Sequence, residues 1–134
     1  MPKTAAELQL LAAAIVVGLI QLLWAAGAAR AHQKDMKWAA GPRDEPRPLD
    51  GVAGRLDRAF RNFMETFPFF AAAVITAYLA GKLGELTLWG SALYVAARAL
   101  YVPTYAAGIA GLRTLIWGVA VIGIGMNIAA IFLA

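Results

Sequence analysis

An uncharged run of 22 residues, Leu8–Ala29, limits what this chain can fold into more than any other feature of its sequence. As an α-helix this run would extend about 33 Å, and the hydrocarbon core of a bilayer is about 30 Å thick. The composition agrees, because 61% of the 134 residues are apolar and 15% are charged. Soluble domains have about 45–50% apolar and about 25% charged residues. We therefore predict an integral membrane protein.

Four helical segments separated by polar or glycine-rich turns predict an all-α fold, an integral membrane four-helix bundle that forms one domain over residues 1–134. The predicted helices cover about residues 6–31, 55–80, 86–105 and 112–133. Residues 32–54 contain three prolines and several charges, and they are predicted to form a connecting loop. Asn127 is the one strongly polar residue of the last helix, and we expect it to bond to a neighbouring helix.

The basic residues are unevenly distributed along the chain. Eight of the twelve lie between Arg30 and Arg61, and Arg98 and Arg113 flank the third connection, which leaves two for the other side of the membrane. Cytoplasmic loops carry an excess of lysine and arginine. We therefore predict a multi-pass membrane protein with both termini on the non-cytoplasmic side. The expected location is the bacterial inner membrane, and an organellar membrane is the alternative. Because the basic residues concentrate beside the membrane, lipid head groups and anionic small molecules are the expected partners, and nucleic acid is not.

Polar residues recur at helical spacing near the predicted cytoplasmic ends. On helix 2 a 3-4-3 spacing places four of them on one face: Arg55, Arg58, Asn62 and Glu65. On helix 3 an i, i+3, i+7 spacing places three on one face: Arg98, Tyr101 and Tyr105. A charged residue exposed to lipid near a helix centre costs about 2.5–3.5 kcal/mol. The pattern therefore predicts one polar, arginine-rich cavity that opens to the cytoplasm.

Simpler roles exist for the same residues. Arginine and tyrosine often anchor helices at the membrane interface, which is an alternative for Arg55, Arg58 and Tyr101. Glu65 could serve to neutralise Arg61 or Arg98. The sequence contains no Ser-His-Asp set, no metal-ligand cluster and no phosphate-binding loop, so we expect no metal site. It also contains no cysteine, so any reactive thiol would have to come from a ligand.

Three stretches resemble a known family. Arg58–Pro68 (RAFRNFMETFP) resembles the helix 2 signature of the MAPEG family, the membrane-associated proteins in eicosanoid and glutathione metabolism. Ala97–Tyr105 (ARALYVPTY) is similar to helix 3 of that family, and Leu112–Thr114 is similar to the start of its helix 4. The resemblance covers nearly the whole chain in length, helix number and inferred topology.

The resemblance implies a homotrimer that binds glutathione between subunits near the cytoplasmic face. The matching glutathione contacts are Arg61, Asn62, Glu65, Arg98, Tyr105 and, from the adjacent subunit, Arg30. Arg58 and Tyr101 lie on the same two faces and complete the predicted glutathione site. The predicted catalytic residues are Arg113, which matches the arginine that stabilises the thiolate, and Thr114, where some relatives have serine. Trp117 stands where some members have tyrosine.

The chemistry of glutathione suits these residues. Arginine can hold its two carboxylates in bidentate geometry, Glu65 can take its ammonium group and Asn62 a peptide group. A free thiol has a pKa of about 8.5, and an arginine within about 4–6 Å can lower it by one to three units. We therefore expect a glutathione transferase or peroxidase that acts on a lipophilic electrophile or a lipid hydroperoxide.

Two other functions stay open at this point. One is a catalytically silent membrane scaffold or lipid-binding protein, because a fold does not fix a function. The other is a small proton-coupled transporter in which Glu65 exchanges protons for cations. The sequence disfavours the transporter, since three arginines lie within ten residues of Glu65.

Overall fold

A computed structural model describes residues 4–33 and 49–133, and it forms four α-helices. They are α1 (Ala6–Gln33), α2 (Gly51–Leu79), α3 (Glu85–Ala106) and α4 (Ala110–Phe132). No strand occurs in these two ranges. The predicted all-α fold with four helices is confirmed, while residues 34–48 of the predicted loop lie outside the described residues.

Helix α2 begins at Gly51, four residues earlier than the sequence predicted. Asp50 has extended backbone, and the amide of Gly54 donates to its carbonyl at 3.1 Å, which closes the first turn. A Cβ atom at Gly54 would lie 2.7 Å from the carbonyl oxygen of Leu49. Gly54 therefore permits a close approach of the chain at the start of the helix.

The connections after α2 and α3 have the same geometry. Gly81 has φ +70°, and the amide of Lys82 donates to the carbonyl of Ala77 at 2.9 Å. Gly108, with φ +78°, ends α3 with equivalent hydrogen bonds. These are Schellman motifs, in which a glycine adopts the left-handed conformation that other residues disfavour. Because the second turn is this tight, α4 begins at Ala110 rather than at the predicted residue 112.

All four helices contribute to one core. Its buried members are Leu11, Ala14, Phe70, Val74, Tyr94, Ala97, Ala120 and Ile124. Helices α3 and α4 approach most closely at Gly90, where a Cβ atom would lie 2.8 Å from the carbonyl oxygen of Gly123. Beside this contact, Ser91 donates to the buried Asn127 side chain at 3.3 Å. The predicted bond between Asn127 and a neighbouring helix is confirmed.

Two helical stretches are long and apolar enough to cross a membrane, Ala6–Ala31 and Ala110–Phe132. Five charged residues lie in the first half of α2, and Arg98 lies in the second half of α3. These halves lie side by side. A hydrogen bond from Arg55 Nε to the carbonyl of Ala106, at 2.9 Å, joins them. The charged side chains and the start of α4 are thus brought to one end of the bundle.

Candidate functional site

A cleft of about 440 Å³ lies between α2, α3 and α4 at that end of the bundle. Polar side chains dominate its wall, which is formed by Arg58, Arg61, Asn62, Glu65, Tyr101, Tyr105, Arg113, Thr114 and Trp117. We call it the arginine cleft. Eight of the ten predicted site residues form its wall, so the structure brings together most of the set chosen from the sequence.

The helical spacing explains which α2 residues reach the cleft. Arg58, Asn62 and Glu65 recur at intervals of four and three residues and share one face. Arg55 was predicted on the same face, but its guanidinium is occupied by the carbonyl of Ala106 at the end of α3. Arg55 therefore closes the end of the bundle and takes no part in the wall.

Two arginines converge on Tyr105. Arg58 Nε donates to the Tyr105 hydroxyl group at 3.3 Å. The guanidinium carbon of Arg113 lies 4.5 Å from the centroid of the same ring. Cations over an aromatic face are attracted by its quadrupole. The contacts therefore hold both positive charges beside Tyr105, facing one region of the cleft.

Glu65 is the one carboxylate in the wall, and its side chain is exposed. The alternative in which it neutralises Arg61 or Arg98 finds no support in the geometry. Arg61 pairs with Asp57 at 3.1 Å, and Arg98 donates to Asn62 at 2.8 Å. Across residues 4–33 and 49–133, no basic group lies within 4.0 Å of the Glu65 carboxylate.

Arg98 was predicted as a direct ligand contact, but the structure places it behind the wall. Its side chain is fully buried and is absent from the lining of the cleft. The guanidinium carbon lies 4.1 Å from the ring centroid of Tyr101 and 5.6 Å from that of Phe63. Its neighbours Asn62 and Tyr101 separate it from the cavity.

Arg113 and Thr114 lie in the cleft, two residues further from the start of α4 than predicted. Because α4 begins at Ala110, the amide of Arg113 already donates to the carbonyl of Ile109 at 3.1 Å. The free amides that favour an anion at a helix start therefore belong to residues 110–112. The Thr114 hydroxyl group donates to the carbonyl of Ala110 at 3.2 Å, so its proton is directed into its own helix.

The wall of the cleft differs from the predicted set at two further residues, one of which is missing from the wall and one of which was not predicted. Arg30 lies near the end of α1 and does not form part of the wall. Trp117 forms part of the wall although it was not a predicted site residue. The signal for Trp117 was its position one helical turn after Arg113, since residues four apart share a face.

The cleft has the character of an organic-anion site. Three arginines and one carboxylate line it, together with hydroxyl and amide groups. No group of three or more metal-ligating side chains was found in the part of the chain that the structure describes.

Comparisons with known proteins agree with this architecture. No curated protein matches the chain. A family model described as the MAPEG family matches residues 9–133, which is nearly the whole chain and includes all the residues of the arginine cleft. Members of this membrane-associated family include glutathione transferases and peroxidases. The chain belongs to the MAPEG family.

Proposed function

We propose that this protein binds glutathione as a substrate in the arginine cleft and promotes ionisation of its thiol. The thiolate then attacks a lipophilic substrate that reaches the site from the bilayer. With an electrophile, a carbon–sulfur bond forms; in a substitution the carbon releases its leaving group, and in an addition a π bond breaks and the product takes up a proton. With a lipid hydroperoxide, two glutathione molecules supply the two electrons, and the products are an alcohol, water and glutathione disulfide.

The charge of the cleft is the observation that carries this proposal. Ionised glutathione has three anionic groups, two carboxylates and a thiolate, and one ammonium group. The wall of the cleft has three arginines and one carboxylate: Arg58, Arg61, Arg113 and Glu65. The cavity of about 440 Å³ also falls within the range of about 300–1,000 Å³ that small-molecule sites have. The charges of the cleft are therefore equal in number and opposite in sign to those of the substrate.

Five polar residues of the wall have a proposed role in binding or in ionising glutathione. Arg58 and Arg61 take carboxylates, for which the planar guanidinium fork is suited. Glu65 takes the ammonium group, and Asn62 takes a peptide group. Arg113, held against the ring of Tyr105, provides the positive charge beside the thiol. Such a charge can lower a thiol pKa by one to three units, which corresponds to about 1.4–4 kcal/mol in favour of the thiolate.

Thr114 contributes less directly. Its hydroxyl proton points to the carbonyl of Ala110, so it must rotate before it can donate to a sulfur atom. The free amides at residues 110–112 add a favourable field for an anion without any rearrangement. We therefore assign thiolate stabilisation first to Arg113 and the start of α4.

The proposed assembly is a homotrimer with this end of the bundle at the cytoplasmic face. Arg58 and Glu65 are exposed in the single subunit, and neither side chain is stable against lipid. A neighbouring subunit that covers the cleft, with its Arg30 near the substrate, would remove this exposure. The basic residues beside the first connection favour the cytoplasmic orientation.

The other candidate functions are less well supported. A transporter for cations needs a cavity that attracts positive charge, whereas three arginines and one carboxylate line this cleft. A silent scaffold has no need to collect these charges in one cavity.

Ionisation of bound glutathione tests the proposal. The ultraviolet absorbance of the thiolate is measured against pH for the wild type and for Arg113→Ala, both saturated with glutathione. We expect the apparent thiol pKa to rise by at least about one unit in Arg113→Ala, equivalent to about 1.4 kcal/mol. Arg61→Ala is the matched control, because it removes an arginine from the same cleft away from the thiol. Identical titration curves for wild type and Arg113→Ala would contradict the proposed activation.

A further inference from the structure

The fully buried Arg98 lacks an acidic partner. Its Nη1 atom donates to Asn62 Oδ1 at 2.8 Å, while Nε and Nη2 have no hydrogen-bond partner in the described parts of the chain. Asn62 thus provides the one hydrogen bond that the structure gives this guanidinium. A charged group placed out of water needs such a partner, which makes the contact a strong constraint on both side chains.

This contact fixes the orientation of the Asn62 carboxamide. A guanidinium has donors and no acceptor, so the Asn62 atom that faces Arg98 must be its oxygen. The nitrogen with its two N–H groups then lies on the other branch of the carboxamide. Within the described residues the Asn62 nitrogen has no hydrogen-bond acceptor, and Asn62 is partly exposed. Since Asn62 forms part of the wall, its N–H groups are available to a molecule in the arginine cleft.

Arg98 also contacts a second wall residue, through a cation–π contact. The ring of Tyr101 lies 4.1 Å from the guanidinium carbon, and Tyr101 also lines the cleft. The Tyr101 ring in turn lies 5.6 Å from the ring of Tyr105. Arg98 therefore contacts two adjacent residues of the wall, Asn62 and Tyr101, without itself lining the cavity.

We propose that Arg98 is a positioning residue that turns the N–H groups of Asn62 toward the arginine cleft. This part of the cleft then selects a hydrogen-bond acceptor on the substrate. The inference rests on the proposed function, and there it assigns Asn62 to a peptide carbonyl of glutathione rather than to a peptide N–H group. A substrate that presents a donor at this position would face two N–H groups and be rejected.

A double-mutant cycle tests whether Arg98 acts through Asn62. Glutathione binding is measured by calorimetry for the wild type, Arg98→Met, Asn62→Leu and the double variant. We expect each single variant to weaken binding by about tenfold, because each loses the oriented donor. The double variant should also be weaker by about tenfold, since residues that act as a unit are not additive. A loss of about a hundredfold in the double variant would overturn the inference.

A conservative variant separates positioning from simple loss of structure. Arg98→Lys keeps a buried cation and a donor for the Asn62 oxygen, so its loss of affinity should be smaller than that of Arg98→Met. In the Asn62→Leu background the Arg98→Lys change should cost no further affinity. If Arg98→Met does not assemble, the same cycle with Arg98→Lys decides the question, and additive losses there would overturn the inference. A wild type that binds no glutathione would instead overturn the proposed function, and this inference with it.

Discussion

The surroundings of Glu65 favour a role in binding over a structural role. Glu65 is exposed, it lines the arginine cleft, and no basic group of the described residues lies within ion-pair distance. A carboxylate that neutralised a buried arginine would be expensive to remove, by about 3–5 kcal/mol. An exposed carboxylate outside such a pair leaves stability within about 0.5 kcal/mol when it is replaced.

We therefore predict that Glu65→Gln weakens glutathione binding and leaves assembly unchanged. The loss of one hydrogen bond to a charged group is worth about 1.5–3 kcal/mol, which corresponds to at least about tenfold in Kd. Calorimetry with glutathione measures the affinity, and the thermal midpoint measures the stability. Glu85→Gln is the matched control, because Glu85 is also an exposed carboxylate but lies at the start of α3, outside the wall. Unchanged affinity in a Glu65→Gln variant that no longer assembles would favour the structural role.

The packing of α3 against α4 depends on two small residues. Gly90 and Gly123 face each other so closely that a Cβ atom on either would collide with the carbonyl oxygen of the other. In membranes, helices associate through such close contacts and through interhelical hydrogen bonds, here between Ser91 and Asn127. Helix α3 carries Tyr101 and Tyr105, and α4 carries Arg113, so this contact joins two of the helices that form the cleft.

We predict that Gly123→Ala destabilises the bundle by about 1–3 kcal/mol, because the added methyl group cannot be accommodated without moving the helices. Thermal unfolding in detergent provides the measurement. Gly125→Ala is the control on the same helix, since a Cβ atom there would meet nothing within 4 Å. Alanine is the better helix former, so this control should be neutral or slightly stabilising. Equal effects of the two substitutions would show that α3 and α4 are not held by this contact.

The helical pattern of the sequence predicted more of the site than of the helix ends. Spacing alone placed Arg58, Asn62 and Glu65 on one face, and the structure confirms that face. It did not distinguish Arg98 from Tyr101, because spacing gives the direction of a side chain but not its depth below the surface. Arg98 lies beside Phe63 of α2, and that tertiary contact has no signature along the chain.

The helix boundaries depended on information that spacing does not contain. Glycine usually indicates a loop, but here Gly51 has φ +59° at the first position of α2, and Gly54 lets the helix begin close to the carbonyl of Leu49. At the other connection, the left-handed conformation of Gly108 completes the turn early enough for α4 to begin at Ala110. The first helix boundary therefore depends on a close approach between backbone segments, and the second on a left-handed glycine.

The orientation of the whole molecule in the membrane follows from its charge distribution. Ten of the twelve basic residues flank the first and third connections. We therefore predict that the turn after α3 faces the cytoplasm and that the N-terminus faces the opposite side. The arginine cleft would then open to the compartment in which soluble glutathione is supplied.

Cysteine labelling measures this orientation directly, because the chain has no cysteine of its own. Thr4→Cys and Ala107→Cys introduce single thiols at exposed positions near the N-terminus and in the turn after α3. An impermeant reagent applied to intact cells should label Thr4→Cys and spare Ala107→Cys until the membrane is opened. The reverse pattern would show that the cleft opens on the non-cytoplasmic side.

Glutathione binding to the purified wild-type protein tests the central claim most directly. Isothermal titration calorimetry should give a heat of binding, and millimolar glutathione should raise the thermal midpoint, because a ligand that binds the folded state stabilises it. Cysteinylglycine lacks the γ-glutamyl carboxylate and should bind at least about tenfold more weakly. If glutathione produced neither heat nor thermal stabilisation, the charges of the cleft would serve another purpose, and the silent-scaffold alternative would replace this account.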